Sequence, residues 1–585
     1  MEDTVAAEAE AEAGAAPADI VADDSDRTAF VLGGTGGLRR RADGAVGTWI
    51  GIAAILVTVA IPLRGLYRFT GGTMEEGFML LFPELLKDGQ VPNVDFLHLY
   101  GPGSLHVLAG WYEVFGNSLA SERTFGLLQH LGIIFGLFAL ARPWGRLAAT
   151  LVAGLAVFYV LTPIGLTAMA WNGGLALTLW SAVFVVRAVN LAEPRRRRWS
   201  WLVAGGLAGL ALTYRPDLAI ALGLVLGWAM WQRADSRRPL LLGTAVGLLP
   251  MWYHLVVAGI GPSFEGMFVD PVFRLRAGRE LPRPPSWSRI DGALQAIAEE
   301  IPPWWRIPHL SVSHALFLWF FAMLAMAVGL LVVAIRLRRA PGGRTGRSVA
   351  LLVVALVSIG ILPQALQRPD STHLTWVTCI SFPFSIVVVA ELVRRRWPAV
   401  DRRAAIGFGT AAALVATLTF TALFTFRYYL LHTRAGLGQV PSAVPVSRDG
   451  RTFWFGSARA AAALQGAVDD LAALATPGER LLVGPKDLRR TWYSDAVAYW
   501  MFPELEPATY YIEMDPGLAN AADSSLAADV ASADWVLLTG FWDGWYEPNT
   551  SIDYGSDAPN EVVREEFCEV GSYEDALVVL YRRCP

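Results

Sequence analysis

The chain has 585 residues, of which 54% are hydrophobic and 17% charged, with a formal net charge of −4 and a mean hydropathy of +0.40. Such a balance excludes an ordinary soluble enzyme. A charge this close to neutral also excludes a nucleic-acid binder and a polybasic membrane-surface protein.

Residues 1–37 are rich in Ala, Glu, Asp and Gly with little apolar periodicity, which predicts a disordered N-terminal segment, extending as a cytoplasmic N-terminus to residue 44. The run Gly33 to Gly37 precedes an arginine triplet and does not open a helix after a strand, so it is no phosphate cradle. About eleven apolar segments then predict membrane-spanning helices: 46–64, 121–141, 147–164, 173–191, 200–213, 216–231, 239–260, 313–335, 348–366, 372–392 and 404–426. The segments 200–213 and 216–231 fall short of the about 20 residues that a ~30 Å hydrocarbon core requires. They form a hairpin around Thr213-Tyr214-Arg215-Pro216-Asp217, and losing both leaves the parity unchanged.

Alternate loops are loaded with arginine: Arg39 to Arg41, Arg142 with Arg146, Arg195 to Arg198, Arg233 with Arg237 and Arg238, Arg336 to Arg347, and Arg394 to Arg403. Arginine-rich loops face the cytoplasm, so the N-terminus is expected inside and the C-terminal part outside the cytoplasmic membrane. Residues 103–116 are too few to span and include His106 and Glu113, so they predict an interfacial helix within a first outer loop of 65–120. A second large outer loop, 261–312, carries Trp287, Trp304 and Trp305, residues of an interfacial belt or of a roof over an acceptor.

Beyond residue 430 the composition changes. Helical patterns near 457–475, 488–502 and 524–532 alternate with strand patterns at 480–484, 508–513, 534–538, 566–570 and 576–582, which predicts an extracytoplasmic α/β domain over 431–585. Of three cysteines, Cys379 falls in an apolar stretch, while Cys568 and Cys584 flank two predicted strands and could pair in an oxidising compartment.

Residues able to do chemistry collect on the outer side. Glu75-Glu76 follows the first span and Asp95 lies some twenty residues on; carboxylates placed there suit general-base work, and could also hold a divalent cation, although no His/Cys cluster argues for a metal. Arg123, Asn172, Arg215 with Asp217, and Arg368 with Asp370 and His373 stand at outer edges of other spans. Each alone is an ordinary interfacial anchor. Together they provide cations near the headgroup level, and a lipid-linked phosphate needs such donors where water is scarce.

This pattern resembles the GT-C superfamily of membrane glycosyltransferases, which includes protein O-mannosyltransferases and bacterial enzymes that use polyprenyl-phosphate sugars. The family's acidic pair at the start of the first outer loop is similar to Glu75-Glu76-Gly77, with Glu where the family has Asp. Its Gly-x-x-Pro-x-x-Asp stretch matches Gly89 to Asp95, the following Gly-Pro matches Gly101-Pro102, and the arginine opening the second span matches Arg123. The tail, with Pro485 to Arg490 and Ala508 to Tyr511, looks like that of actinobacterial members. The resemblance covers about residues 45–430. It implies a polytopic α-helical membrane protein with a polyprenyl-phosphate sugar donor and a glycan, protein or lipid acceptor. Glu75 would be the base, with Glu76 and Asp95 as competitors, and Arg123, Arg215, Arg368 and His373 would hold the donor phosphate. A transporter or flippase for a lipid-linked glycan is the rival reading, and it predicts ionisable groups at mid-membrane; the span interiors are mostly Leu, Val, Ala and Gly. A non-catalytic cell-envelope assembly protein is the third.

Overall fold

The computed structural model describes residues 35–162, 164–300, 310–421, 423–441 and 443–585, with side chains from residue 45 onward except that of Glu300. Of the N-terminal segment expected to be disordered, residues 1–34 lie outside the described residues, as do Trp304 and Trp305, while residues 35–44 are instead the first turns of the helix Thr35–Leu66. The chain is an α-helical polytopic membrane protein with a small C-terminal sheet domain. Each of the eleven apolar segments folds chiefly as helix. This follows from the solvent: in hydrocarbon a backbone N–H or C=O finds no water, and a helix satisfies both within itself.

By length and composition, seven of the described helices can cross a membrane, or eight if the bent pair Ala234–Gly247 and Leu249–Val257 makes one span. Arg146–Val160 is apolar but shorter. The segment read as 200–213 is the end of a longer helix, Pro194–Tyr214. Pro194 occupies its first turn, where a missing N–H costs nothing, so the arginine run continues into the helix. This helix packs on Arg237–Gly247 through small residues. A methyl group on Gly205 or Gly209 would strike the carbonyls of Leu240 or Thr244, and one on Gly243 or Gly247 those of Leu202 or Gly206. Backbones this close gain dispersion contacts, which replace the apolar driving force that lipid removes.

The arginine-rich turns gather at one end of the helices. Arg347 donates to the Pro143 carbonyl, Arg197 pairs with Asp235, Arg338 reaches Gln232, and the guanidinium of Arg402 lies beside Gly145. The C-terminal domain sits at the other end, on the loop that follows the first span, residues 65–120.

That loop forms two helices, Glu75–Lys87 and Gly103–Phe115. The second does not span: it buries Leu105, Leu108 and Tyr112, and the Tyr112 hydroxyl donates to the Met79 carbonyl at 3.0 Å. Helix Glu75–Lys87 lies between the membrane helices and the C-terminal domain, its Phe78, Met79 and Phe82 sharing one core with Val497 and Trp500. Backbone bonds from Val497 to Thr73 and from Leu97 to Tyr510, and the Arg451–Glu84 ion pair at 2.9 Å, fix the docking.

The C-terminal domain begins with a hairpin, β1 (Val444–Arg448) and β2 (Arg451–Phe455). Helix Ala458–Leu474 follows, then a five-stranded sheet of β3 (Arg480–Pro485), β4 (Glu506–Pro507), β5 (Trp535–Thr539), β6 (Phe567–Tyr573) and β7 (Val578–Arg583). The order is β4-β3-β5-β7-β6, with β3 parallel to β4 and β5, and β7 antiparallel to its neighbours. The interiors of β3 and β5 are apolar because both faces are covered: Leu481, Val483 and Leu537 meet the core shared with the first loop, while Leu482, Val536 and Leu538 meet Leu526, Val530 and Val563. The strand expected at 508–513 is absent. After Pro507 the Thr509 hydroxyl accepts the Tyr511 N–H, and the Tyr510 carbonyl turns to the first loop. The helix expected near 488–502 shrinks to Val497–Met501. Cys568 and Cys584 form a disulfide across β6 and the chain end, and Cys379 is buried and free.

Candidate functional site

Where the C-terminal domain meets the helix ends, the protein encloses a cavity of about 560 Å³. Glu75, Arg215, Arg368 and His373, drawn from three separate stretches of sequence, all line it. Glu76, Asp95 and Arg123 are not in its lining.

Successive residues on a helix point about 100° apart, so the first turn of Glu75–Lys87 sends its two carboxylates in different directions. Glu76 turns into the protein, where Nε and Nη2 of Arg123 donate to its two oxygens at 2.7 and 2.8 Å. Arg123 spends its remaining donors on the carbonyls of Leu66 and Phe69. Both side chains are buried, so the pair is a closed structural link between the loop after the first span and the helix Leu119–Ala141. Asp95 is exposed and accepts the Val91 N–H at 2.7 Å, closing the turn of the Gly-x-x-Pro-x-x-Asp stretch. The amide of Asn172 donates to the Thr167 carbonyl. The three acids suggested for a metal therefore do not converge, and among the described residues no group of three or more potential ligands occurs.

The motif around Asp95 has another use. Gly101 donates to the Tyr214 carbonyl, and a side chain at Gly101 or Gly103 would collide with Thr213. This contact brings Tyr100 under Arg215, whose guanidinium lies 4.6 Å from the Tyr100 ring centre and 5.5 Å from that of Trp171. Two of the cavity arginines, Arg215 and Arg368, stand in the same local sequence, Arg-Pro-Asp, at the end of a helix. Proline stops the helix, and the arginine folds onto the aspartate two residues on. Arg215 donates through Nε and Nη2 to Asp217 at 3.0 and 2.7 Å, and its Nη1 has no hydrogen-bond partner among the described residues. Arg368 donates through Nε to Asp370 at 2.8 Å, through Nη1 to the Arg279 carbonyl at 2.9 Å and Glu547 at 2.7 Å, and through Nη2 to the other Glu547 oxygen. Asp370 also caps the helix Ser371–Arg396 and accepts the His373 ring Nδ1 at 2.9 Å. The other ring nitrogen of His373 has no hydrogen-bond partner among the described residues.

Of the acids lining the cavity, Asp217 and Glu547 are each tied to an arginine, and Glu513 lies 3.8 Å from His98. Glu75 makes no ion pair among the described residues. Burial raises its carboxyl above the ordinary range and the Glu76 charge adds to this, while Arg279 and Arg368 pull the other way. A carboxylate kept unpaired beside guanidinium groups, in a largely apolar chamber, can accept a proton while neighbouring cations balance a second anion.

Sequence reasoning missed Arg279, Tyr493, Trp545 and Glu547, which also line the cavity. The run Phe541-Trp542-Asp543-Gly544-Trp545-Tyr546-Glu547 was a visible signal, an aromatic and acidic loop after a buried strand. Trp287, considered for an interfacial belt or an acceptor roof, stacks on His314, meets Phe317 edge-on and is half exposed.

No family model matches the chain, and no curated protein matches its sequence. Among solved structures, the chain is similar to ArnT from Cupriavidus metallidurans bound to undecaprenyl phosphate, with a TM-score of 0.51 and 14% identity over 91% of this chain and 97% of that one. It is also similar to the archaeal oligosaccharyltransferase AglB from Archaeoglobus fulgidus in complex with an inhibitory peptide and a dolichol-phosphate, with a TM-score of 0.45 and 12% identity over 85% of this chain and 70% of that one. At such identities the likeness is one of fold, and the first match carries it: the chain has the GT-C fold.

Proposed function

We propose that the protein is an integral membrane glycosyltransferase that moves a sugar, hexose or pentose, from a polyprenyl-phosphate donor to an extracytoplasmic acceptor in cell-envelope glycan or glycoprotein synthesis. The observation that carries the reading is Glu75: an unpaired, partly buried acid sharing one cavity with Arg215, Arg368 and His373. The GT-C fold, seen in ArnT bound to undecaprenyl phosphate, supports a lipid-phosphate donor.

Glu75 takes the proton of the acceptor hydroxyl as its oxygen bonds to the anomeric carbon. The bond from that carbon to the phosphate oxygen breaks, and its electron pair leaves with the phosphate. Attack from the face opposite the leaving group inverts the configuration. Arg215 offers its spare Nη1 and Arg368 the remaining N–H on Nη2, so negative charge growing on the phosphate meets fixed donors, and the second ring nitrogen of His373 in the same cavity adds a donor in the doubly protonated ring. Apolar lining from Ile220, Phe268 and Ile361 suits the lipid chain. Arginine-rich turns at the end away from the cavity support a cytoplasmic N-terminus and an outward-facing C-terminal domain, and the Cys568–Cys584 disulfide fits an oxidising compartment.

The test uses purified full-length protein in lipid nanodiscs with polyprenyl-phosphate mannose, galactose or arabinofuranose, following free polyprenyl phosphate. Release that depends on Glu75 supports the reading. A protein that cleaves none of these donors, with any acceptor class, overturns it.

A further inference from the structure

The wall that the C-terminal domain adds to the cavity has a chemistry that a lipid phosphate does not use. We propose that Trp492, Tyr493, Glu513 and Trp545 form the acceptor subsite, and that the acceptor is a carbohydrate. This deepens the glycosyltransferase reading and rests on it.

All four residues line the same cavity as Glu75. Tyr493, Trp542 and Trp545 form a mutually packed triad: the Tyr493 ring centre is 4.4 Å from that of Trp542, at an interplanar angle of 21°, and 4.6 Å from that of Trp545, and the two indoles are 5.5 Å apart. Trp542 is itself anchored by its indole N–H, which donates to the buried Asp495 at 3.1 Å. The aromatic wall is therefore rigid before anything binds. Beside it stand two polar groups with unmet needs. Trp492 is 7% exposed, its face is covered by Arg490 at 3.4 Å, and its indole N–H has no acceptor among the described residues. Glu513 is 3% exposed and accepts no hydrogen bond among the described residues, the His98 ring nitrogen lying 3.8 Å away.

A buried N–H without an acceptor and a buried carboxylate without a donor are costly unless a ligand completes them. The ligand that does so presents hydroxyl groups able both to accept and to donate, together with a flat face of C–H groups for Tyr493 and Trp545. A sugar ring has both. A diacylglycerol has a single donor, the hydroxyl that must reach Glu75, so its ester carbonyls can meet Trp492 but Glu513 stays unmet, and a serine or threonine in a peptide offers no ring face. The position in the fold agrees. Trp492 and Tyr493 follow β3, and Trp545 follows β5, so the subsite lies beyond the carboxyl ends of adjacent parallel strands, where open α/β sheets place ligands. One acceptor hydroxyl then reaches Glu75, loses its proton there, and forms the new glycosidic bond as the donor's carbon–phosphate oxygen bond breaks.

The experiment offers full-length protein in nanodiscs, with the most active polyprenyl-phosphate sugar, three acceptors: a mannotriose, a Ser/Thr-containing peptide and diacylglycerol. Transfer to the trisaccharide is expected, with Trp545→Ala and Glu513→Gln each raising the trisaccharide KM at least tenfold while the donor KM stays within twofold. Glu513→Gln keeps the side-chain shape, so a folding defect in Trp545→Ala alone leaves the test intact. Transfer to peptide or lipid but not to the trisaccharide overturns the proposal, as do variants that move donor and acceptor KM together. Failure to cleave any donor would instead sink the glycosyltransferase reading beneath it.

Discussion

Two adjacent glutamates offer a sharp contrast, because the same substitution should do opposite things at each. Glu76 is 2% exposed and accepts two charge-assisted bonds from Arg123, itself 2% exposed. Glu76→Gln removes the charge that compensates a buried guanidinium. Breaking a buried pair by neutralising one partner costs about 3–5 kcal/mol, partly offset because the amide oxygen can still accept one bond. At Glu75 there is no ion pair to break, and burial already disfavours the charged form. Glu75→Gln should therefore leave stability unchanged or slightly higher, and remove the proton acceptor, with a rate loss of about 10²–10⁴ typical of a general base. The assay pairs thermal unfolding in detergent with donor cleavage by the folded fraction of each variant. The expected result is a destabilised but catalytically competent Glu76→Gln and a stable but inactive Glu75→Gln. A Glu76→Gln protein that is stable and inactive, beside an active Glu75→Gln, would refute the assignment of the two acids.

Because Glu75 must be ionised to act and its carboxyl lies above the ordinary range, the acidic limb of kcat/KM should fall above the about 4.3 of a free glutamate. Activity declines as pH drops through that raised value; a limb at or below the free value would contradict the role. Arg368→Lys keeps a positive charge but loses the planar fork that grips Glu547 and Asp370, so donor cleavage should fall by about 10²-fold or more; equal rates would mean that charge alone suffices. Cys568 and Cys584 should resist alkylation until reduced and then react, in intact cells, with a membrane-impermeant maleimide. Labelling only after the membrane is opened would place the C-terminal domain inside.

The membrane helices were legible because a bilayer imposes long apolar runs, and Arg215 and Arg368 because Arg-Pro-Asp marks a helix end that holds a charge. Helix Pro194–Tyr214 was read too short because hydropathy penalises its arginine turn, although the backbone continues through it. The β1–β2 hairpin went unread, although Arg448-Asp449-Gly450-Arg451 carries its signal: Asp449 and Gly450 both take positive φ, of 47° and 82°, as a tight hairpin requires. Spacing could not separate Glu75 from Glu76, since one step along a helix decides which acid meets Arg123 and which meets the cavity. Arg123 itself matched a family position, yet only tertiary packing shows its donors spent on Glu76 and two carbonyls. Glu547 and Tyr493 were illegible for a similar reason: they reach the site only because the C-terminal domain docks on the first loop, through contacts such as Val497 to Thr73.

The central claim is that one cavity holds the donor phosphate between two arginines and an unpaired acid. A structure of the protein in nanodiscs with bound polyprenyl phosphate tests this most directly. The account predicts phosphate density within hydrogen-bond reach of Arg215 and Arg368, with Glu75 facing it across the chamber. Phosphate bound outside this cavity, or an undisturbed Arg368–Glu547 pair with the chamber empty at saturating lipid, would contradict it.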